Sequence, residues 1–383
     1  MTAPWLSIIG IGEDGVAGLS AAARTALSKA EIVLGGGRHH DLGDTSASKR
    51  LTWPSPFDAM IETIREYRGR RLSILATGDP LWYSVGARIA SAIPPAEINF
   101  YPQISAFQWA ACRMGWSLAD VETVTVHGRP VEQVVPRFWP GVRLLVLTAG
   151  SHTPVEIARL LSSHGYGESE MTVLANLGGP EETRIDGSAA HWAGEDVSLF
   201  PPFHTLAIHC IGVPEVLLPG VPGLPDSAFR HDGKMTKREI RALTLAKLMP
   251  ARGEVLWDIG IGCGSVAIEW MRAAPDAAAI GFDPNPERLS LARANADQLG
   301  VPALSLVEGA APAILSSISA PEGTKPDFRT PNAVFIGGGL AEETVDLAIS
   351  RLSANGRLVA NAVTLESEAV LLVLWQRHGG ELT

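Results

Sequence analysis

Cysteine is rare in this chain: Cys112, Cys210 and Cys263 are the three present among 383 residues. They lie far apart and form no C-x-x-C pair, so the sequence predicts neither a disulfide framework nor a zinc site. We therefore expect no bound metal. We expect the three thiols to be small, buried side chains in a reducing compartment.

Long apolar runs and an excess of positive charge are also absent. No run approaches the ~20 apolar residues needed to cross a bilayer. The first residues, MTAPWLSIIGIG, lack the basic region of a signal peptide. The net charge of −10 argues against nonspecific binding to nucleic acid or to anionic membranes. Together these absences predict a soluble, cytoplasmic protein with neither nucleic acid nor membrane as a partner.

What the chain does contain is typical of compact α/β domains: 46% hydrophobic and 19% charged residues. Its length predicts two domains. Short apolar strands ending in turns alternate with helical stretches, which predicts mostly parallel sheets with loops at their carboxyl edges. The strands that we expect in the first half lie at 5–11, 31–36, 71–80, 97–102, 142–150, 170–178 and 204–212, with helices at 20–30 and 153–164.

These elements predict a first domain over 1–212, with lobes at about 1–112 and 113–212. Pro214, Pro219, Pro222 and Pro225 exclude a helix or a central strand, so 213–229 is predicted to be an extended linker. A second α/β domain is expected over 230–383. The chain stops at GGELT, where another strand would be expected, so the chain is either truncated or lacks the last strands of that domain.

The strongest motif is LWDIGIGCGSVAIEW at 256–270. A predicted strand delivers Asp258, and Gly260, Gly262 and Gly264 then lead into a helix. A dinucleotide loop would be G-x-G-x-x-G, but Ser265 takes the place of its last glycine. The carboxylate of Asp258 also suits a cationic amino group better than a diphosphate.

Three later positions extend this motif. Asp283 ends the next predicted strand, where a carboxylate accepts ribose hydroxyls of either NAD or S-adenosyl-L-methionine. Glu308 and Gly309 follow the fourth strand, where they would frame an adenine. The turn FIGGG at 335–339 brings bare backbone to the same edge and is expected to face a substrate.

The N-terminal glycines Gly10, Gly12 and Gly15 do fit G-x-G-x-x-G, and Glu31 lies near the offset of a ribose-binding acid. However, Glu13 and Asp14 stand inside this loop. Carboxylates there would repel a diphosphate, whereas a sulfonium cofactor would tolerate them. Downstream, Gly78-Asp79-Pro80 forms a predicted turn at the end of a strand.

Together these segments resemble known families. IGIGEDG, LATGDPLWYSVG, YPQISAFQWAACRMG and VLANLGGPEE are similar to the tetrapyrrole (corrin/porphyrin) methylases. GKMTKREIRAL, WDIGIGCGSVAIEW, VEGAAP, FIGGG and NAVTLES are similar to a class I methyltransferase with a Rossmann-like fold. The fusion in this order resembles the decarboxylating precorrin C5,15-methyltransferases of aerobic cobalamin synthesis.

The resemblance implies two S-adenosyl-L-methionine sites, a tetrapyrrole substrate and a homo-oligomer. In the N-terminal half, Gly10, Gly12, Asp79 and Ala106 would line a cleft between two lobes, and the reaction would be methylation of precorrin-6B at C5. The C-terminal half would methylate C15 and release carbon dioxide from the C12 acetate, which gives precorrin-8.

A substrate with many carboxylates needs basic side chains around it. The richest cluster is the segment at 230–241, which contains Arg230, Lys234, Lys237, Arg238 and Arg241. In the N-terminal half the candidates are Arg38 and His39, followed by the weaker HGR at 127–129. No nucleophile is needed for methyl transfer, and no residue driving the decarboxylation is evident.

Three alternatives stay open at this point. The same chemistry could act on a cobalt-loaded precorrin of the anaerobic pathway, because the macrocycle would hold the metal. A nucleotide-binding oxidoreductase is a second possibility, although Glu13, Asp14 and Ser265 argue against it. The third is a binding or scaffold protein in which one of the two sites is inactive.

Overall fold

The computed structural model describes residues 4–43, 49–318 and 326–383. The chain forms two compact units. The first comprises the described residues up to Arg129 together with Pro140–Val213, and the second comprises Pro130–Trp139 with the described part of Pro214–Thr383. Within those described residues, three sheets of five strands each are present, two in the first unit and one in the second. This architecture confirms the predicted α/β fold class.

The first sheet of the first unit is entirely parallel, with strand order β3-β2-β4-β1-β5. The strand β1 is buried along almost its whole length, as expected of a parallel strand covered on both faces. Ser20 caps α2 by accepting a hydrogen bond from the amide of Ala23 at 3.2 Å, as its position predicts. The elements are β1 (Leu6–Ile11), α1 (Gly15–Gly18), α2 (Ala21–Ser28), β2 (Ile32–Gly35), α3 (Gly37–Gly43), β3 (Lys49–Thr52), α4 (Met60–Arg65), β4 (Leu72–Thr77), α5 (Val85–Ala92), β5 (Ile98–Tyr101) and α6 (Ala106–Met114).

The second sheet of this unit is mixed, with strand order β6-β7-β10-β8-β9. Its first pair is parallel, and the other neighbours are antiparallel. The change of pattern that the sequence shows after about residue 112 therefore marks a second sheet. The elements are β6 (Glu122–Thr125), β7 (Arg143–Leu147), α7 (Thr153–Ser163), β8 (Glu170–Ala175), β9 (Thr183–Ser188), α8 (Ala189–Trp192) and β10 (His204–His209).

The second unit is a doubly wound parallel sheet with strand order β13-β12-β11-β14-β15. The order reverses between β11 and β14, and such a switch point opens a crevice at the carboxyl ends of the strands. The elements are α9 (Arg238–Leu248), β11 (Val255–Ile259), α10 (Ser265–Ala273), β12 (Ala278–Asp283), α11 (Pro286–Gln298), β13 (Ser305–Glu308), α12 (Ala313–Ser316), β14 (Ala333–Ile336), α13 (Glu342–Arg351), β15 (Arg357–Ala360) and α14 (Leu365–His378).

The segment 213–229 differs from the predicted free linker. It contains bends and a short 3-10 helix at Asp226–Ala228, and Leu224 and Phe229 are only 1% and 5% exposed and pack in the core with Trp270. Prolines disfavour helices and central strands, but they do not prevent burial. Backbone amides that have no partner in a helix or sheet can donate to a side chain. Here the carboxylate of Glu269 accepts the amides of Gly223 and Leu224.

Two further predictions differ from the structure. Cys112 is exposed on α6, whereas Cys210 and Cys263 are buried as predicted. Pro130–Trp139, which the sequence places inside the second lobe, groups with the second unit. Across the described residues, no helix combines the length and the apolar character needed to cross a membrane.

Candidate cofactor and substrate sites

The glycine loop of the second unit joins β11 to α10 at the switch point of the sheet. Gly260, Gly262 and Gly264 have φ angles of +73°, +55° and +86°, which side chains other than glycine rarely adopt. A Cβ at Gly260 would lie 2.6 Å from the backbone of Gly338, and one at Gly264 would lie 3.1 Å from Ile268. A Cβ at Gly262 would meet nothing closer than 3.8 Å. Two of these glycines therefore allow close packing, and Gly262 is the least crowded of the three, with the carbonyl oxygen of Lys234 at van der Waals distance.

Asp258 lies on β11 just before this loop and is only 1% exposed. Its Oδ2 accepts the amide of Ala267 at 3.1 Å, whereas its Oδ1 has no hydrogen-bond partner. Burial raises the pKa of this carboxyl to about 7, and the neighbouring Asp283 carboxylate adds to the rise. A buried acceptor without a donor is costly. A ligand that brings a cation would remove that cost.

Asp283 ends β12 beside the glycine loop. Its Oδ2 accepts the amide of Gly262 at 3.1 Å and its Oδ1 accepts the amide of Asn285 at 3.0 Å. These bonds fix the carboxylate, and each oxygen keeps a second lone pair for a ligand hydroxyl. The geometry fits the predicted contact with a ribose.

Of Glu308 and Gly309, which were predicted to lie around an adenine, only Gly309 lies at the site. Gly309 lines the same cavity, and its amide donates to the carbonyl of Asp283 at 3.1 Å. Glu308, by contrast, is exposed and does not line the cavity. The turn of Gly337, Gly338 and Gly339 does line it, directly beside Gly260.

These residues surround one open cavity of about 1640 Å³. Sites for a single drug-sized ligand reach about 1,000 Å³, so this cavity has room for a second ligand beside a nucleoside cofactor. The wall formed by α9 is apolar: Ile240 and Leu243 are 50% and 61% exposed. Asn361, after β15, donates to the hydroxyl of Thr244 at 3.1 Å in the same wall.

The sequence reasoning missed this wall. The sequence assigns no role to the apolar residues of α9, because the residue types alone do not show which of them are exposed. For Asn361 a signal existed in NAVTLES, which is part of the resemblance described above. The remaining information lies in how α9 and β15 pack together.

The basic cluster predicted at 230–241 divides into two groups. Lys234 and Lys237 line the cavity, which is compatible with contacts to substrate carboxylates. Arg238 does not line it, and its Nε donates to the carbonyl of Gly223 at 2.7 Å. Arg230 also lies outside the lining, and Arg241 is fully buried against Glu269. Only the two lysines therefore remain candidates for direct substrate contact in this segment.

In the first unit, the glycine loop after β1 is used differently from the predicted way. A Cβ at Gly10 would collide with the carbonyl oxygen of Gly78 and would lie 2.9 Å from the amide nitrogen of Gln103. At Gly12 it would lie 2.7 Å from the carboxylate of Asp14. Gly10 therefore lets backbone segments meet each other, Gly12 makes room for a side chain, and neither bare Cα faces open space.

The carboxyl edge of the first sheet does bring the predicted residues into one region. Asp79 closes its own turn, since its Oδ1 accepts the amide of Leu81 at 2.8 Å. Gly78 lies against Ser105, with 3.0 Å between its Cβ position and the Cα of Ser105. Ser105 caps α6, and Ala106 is the first residue of that helix.

Arg38 and His39 lie at this edge but are already engaged. Arg38 forms an ion pair with Glu13, and its guanidinium lies 3.8 Å above the ring of Phe203. The Nε2 of His39 lies 2.9 Å from the hydroxyl of Thr77. Burial, with the adjacent Arg38 charge, lowers the pKa of His39 to about 4. His39 is therefore neutral at pH 7, so it could offer a substrate carboxylate a hydrogen bond but no charge, and the charge of Arg38 is already balanced.

Two weaker candidates of the first unit have other partners. Glu31 pairs with Arg70 and Arg71 just before β2, at the edge of the sheet opposite the glycine loop. It therefore cannot serve as a ribose-binding acid for that loop. In the HGR segment, the Nδ1 of His127 lies 3.4 Å from the carbonyl of Thr148, and Arg129 stacks on Tyr83.

Comparison with known proteins assigns both units. Residues 6–193 match the family described as Tetrapyrrole (Corrin/Porphyrin) Methylases, and residues 227–383 match the family described as Precorrin methyltransferase domain. A precorrin-6Y C(5,15)-methyltransferase [decarboxylating] from Sinorhizobium sp is 43% identical over 385 residues, which cover 100% of this chain and 90% of the relative.

Two shorter relatives match one half each. A probable cobalt-precorrin-6B C(15)-methyltransferase (decarboxylating) from Saccharolobus solfataricus is 35% identical over 153 residues, covering 38% of this chain and 72% of its own. A cobalt-precorrin-7 C(5)-methyltransferase from Salmonella typhimurium is 28% identical over 189 residues, covering 49% and 89%. Given the identity along its full length, the chain belongs to the family of precorrin-6Y C5,15-methyltransferases (decarboxylating), which are S-adenosyl-L-methionine-dependent enzymes.

Proposed function

We propose that this chain is a bifunctional methyltransferase of cobalamin biosynthesis. It methylates precorrin-6B at C5 and C15 and removes the carboxylate of the C12 acetate, giving precorrin-8. The observation that carries the proposal is the cavity of the second unit, where the buried carboxylate of Asp258, with one oxygen unpartnered, lies in the same lining as Gly262. The full-length identity to a decarboxylating C5,15-methyltransferase supports it.

We assign the C5 reaction to the first unit and the C15 reaction, with decarboxylation, to the second. Each shorter relative supports one assignment: a C5-methyltransferase covers 49% of the chain and a C15-methyltransferase covers 38%. The two family matches lie along the chain in the same order, the tetrapyrrole methylase match at residues 6–193 and the precorrin methyltransferase match at 227–383. Each half then carries its own S-adenosyl-L-methionine site.

In the second unit, the residues present fit S-adenosyl-L-methionine. The bare Oδ1 of Asp258 would receive its ammonium group, Asp283 its ribose hydroxyls, and Gly309 would lie beside its adenine. Gly262 leaves room for the cofactor against the backbone. When bound, this cofactor supplies a methyl group on a positively charged sulfur, which an electron-rich carbon can attack.

The role of the protein is then to position the reactants and exclude water. The meso carbons of the macrocycle are themselves nucleophilic, so no side chain has to attack. In the second unit, Ile240 and Leu243 offer an apolar wall to the face of the macrocycle. Lys234 and Lys237 offer charge to its carboxylates, and they can hold the acetate out of the plane of the ring for decarboxylation.

In the first unit, different observations support cofactor binding. Its support is the family match over 6–193 and the convergence of Gly10, Gly12, Asp79 and Ala106 at one sheet edge. Here Gly10 and Gly12 would shape the loop without touching the cofactor. Asp79 and Ala106 are the residues that we propose to line the cleft.

The test is incubation of the full chain with S-adenosyl-L-methionine and precorrin-6B, followed by mass spectrometry of the product. We expect the gain of two methyl groups and the loss of one carbon dioxide. Asp258→Ala should remove the C15 methyl and leave the C5 methyl, and Ala106→Trp should do the reverse. A wild-type chain that adds no methyl group, or binds NADH instead of S-adenosyl-L-methionine in calorimetry, overturns the proposal.

Two parts of the proposal need separate arms of this experiment. Offering cobalt-precorrin in parallel distinguishes the aerobic substrate from the anaerobic one, and we expect faster turnover of the metal-free form. The homo-oligomer that the family resemblance implies is checked by light scattering of the same preparation. A mass corresponding to one chain would contradict it.

A further inference from the structure

A buried arginine in the second unit connects α9 to the segment that precedes it. Arg241 is 0% exposed, and its guanidinium donates to four acceptors. These are the carboxylates of Glu269, at 2.6 Å, and Asp226, at 3.1 Å, and the carbonyls of Thr236, at 2.6 Å, and Leu224. An arginine with every side of its guanidinium engaged has one possible position.

Its partner Glu269, on α10, is equally buried at 1% exposed. Beyond Arg241, this carboxylate accepts the amide of Gly223 at 2.6 Å and the amide of Leu224 at 3.1 Å. The ion pair therefore binds the backbone of one continuous segment at both ends. We call residues 223–237 the strap.

The strap forms one wall of the cofactor cavity. Residues 233–237 line that cavity, and the carbonyl oxygen of Lys234 is the atom nearest to the Cβ position of Gly262, at a van der Waals distance of 3.8 Å. The side-chain amide of Asn295 ties the strap to the glycine loop, since it bonds the carbonyls of both Arg230 and Cys263 at 2.9 Å. The position of the strap thus sets the width of the space beside Gly262.

Stability alone is a weak reason for such an arrangement. Burying an ion pair removes both charges from water, and apolar side chains of similar size often give equal or greater stability. What the pair supplies and apolar side chains do not is a set of directed hydrogen bonds to named backbone groups. Those groups belong to the strap, and the strap carries Lys234 and Lys237.

We propose that Arg241 and Glu269 are positioning residues of the C-terminal site. They hold the strap at a fixed distance from the glycine loop, so that the cofactor wall and the two lysines are in place before any ligand arrives. The inference rests on the proposed function, because it assumes that S-adenosyl-L-methionine binds in this cavity. Preformed walls raise affinity because the ligand does not have to order them.

The test compares variants of the full chain. Arg241→Lys keeps the charge opposite Glu269 and loses most of the directed bonds. The double variant Arg241→Met with Glu269→Leu replaces the pair by apolar side chains, which preserves the fold and releases the strap. The matched control is Arg272→Lys, because Arg272 is also buried and holds the carbonyls of Leu299 and Leu218, neither of which belongs to the strap.

Two readouts separate positioning from general stability. Calorimetry with S-adenosylhomocysteine measures affinity, and the C-terminal component is the one lost in Asp258→Ala. We expect both strap variants to weaken that component by about tenfold, with the N-terminal component and the Arg272→Lys control unchanged. Limited trypsin digestion should cut after Lys234 and Lys237 faster in the strap variants, at equal circular dichroism.

The outcomes are distinguishable. If the wild type shows no C-terminal component, the proposed function fails and takes the inference with it. If the wild type binds and both strap variants bind equally well, the inference alone is overturned. Equal losses in Arg241→Lys and Arg272→Lys also overturn it, because they would reflect stability only. A double variant that does not fold overturns the claim that the pair acts by positioning.

Discussion

The two glycine loops of this chain have similar sequences and opposite surroundings. After β1, the positions where Gly10 and Gly12 lack a side chain are filled by Gly78 and Asp14. After β11, a Cβ at Gly262 would touch only the carbonyl oxygen of Lys234, at 3.8 Å, and Asp258 just before the loop has one oxygen without a partner. The first loop is crowded at both glycines, whereas the second loop leaves room for a side chain at Gly262.

The difference shows that glycine spacing reports a tight turn and does not report what the turn contacts. In the first unit the charged groups near the loop are also matched internally, as in the pair of Arg38 with Glu13. In the second unit, Lys234 and Lys237 line the cavity, although the Nζ of Lys237 also lies 3.9 Å from the Oδ2 of Asp226. Each of the following substitutions is expected to affect only one of the two units.

The largest effect is expected from Gly10→Ala. Its methyl group would enter the space of the Gly78 carbonyl oxygen, and neither this backbone nor that of Gln103 can move without shifting the sheet edge. We expect the first unit to lose about 3 kcal/mol of stability, an overpacking penalty, with the second unit unaffected. Urea unfolding followed by the fluorescence of each unit measures this. As a control, Gly37→Ala should be nearly silent, because nothing lies within 4 Å of the added methyl group. Equal stability of Gly10→Ala and the wild type would contradict the packing role.

The second effect concerns ligand binding at the glycine loop of the second unit. Asp258→Asn keeps the shape of the side chain and removes the charge, so the C-terminal site should lose about 2 kcal/mol of cofactor affinity, roughly thirtyfold. The fold should be no less stable, because the carboxylate replaced has a bare, buried oxygen. Calorimetry and thermal unfolding measure the two quantities. A variant that unfolds more readily and binds as well as the wild type would reverse our assignment.

The pH dependence of the same site is the third effect. The pKa of Asp258 in the folded chain is about 7, above its ordinary value of 3.8, so the folded state holds this proton more tightly than the unfolded chain does. The stability that this proton contributes is complete below pH 3.8 and is lost as pH rises through 7. Cofactor affinity moves oppositely, since an ammonium group needs the ionised carboxylate.

We therefore expect affinity at the C-terminal site to fall by about tenfold from about pH 7.5 to about pH 6. Stability of the second unit without ligand should rise over the same interval. Calorimetry at several pH values measures the first change, and urea unfolding measures the second. In Asp258→Asn both should be flat, and a wild-type slope that persists there would assign the titration to another group.

Local features of this fold are predictable from the sequence, and long-range partners are not. The cap at Ser20 and the apolar strands β1, β4 and β11 follow from nearest neighbours and periodicity. The edge strand β3, KRLT, carries no apolar pattern because it is largely exposed. Its pairing with β2 depends on the rest of the sheet.

The candidate site shows the same limit, because the sequence does not tell which distant residues meet there. Lys237 and Arg241 stand four residues apart in the basic segment at 230–241 and look equivalent in the sequence. Only the fold brings Glu269, 28 residues later, against Arg241, which turns a predicted surface charge into a buried one. Conversely, Asp258 and Asp283 were predictable because a parallel sheet always gathers its strand ends.

The smallest effect is expected in the first unit, from His39→Asn. Because burial and Arg38 lower the pKa of His39 to about 4, its ring is neutral at pH 7 and its replacement removes no charge. Asparagine can still accept the amide of Gly36, so C5 methylation should change by no more than about twofold.

Lys237→Ala in the second unit removes a cavity charge and should raise the KM for the precorrin in the C15 reaction. Separate quantification of the two methyl groups by mass spectrometry compares these variants in one assay. A large loss of the C5 methyl in His39→Asn would mean that the first unit also depends on this side chain for substrate binding. The contrast between the two loops would then not extend to the charges around them.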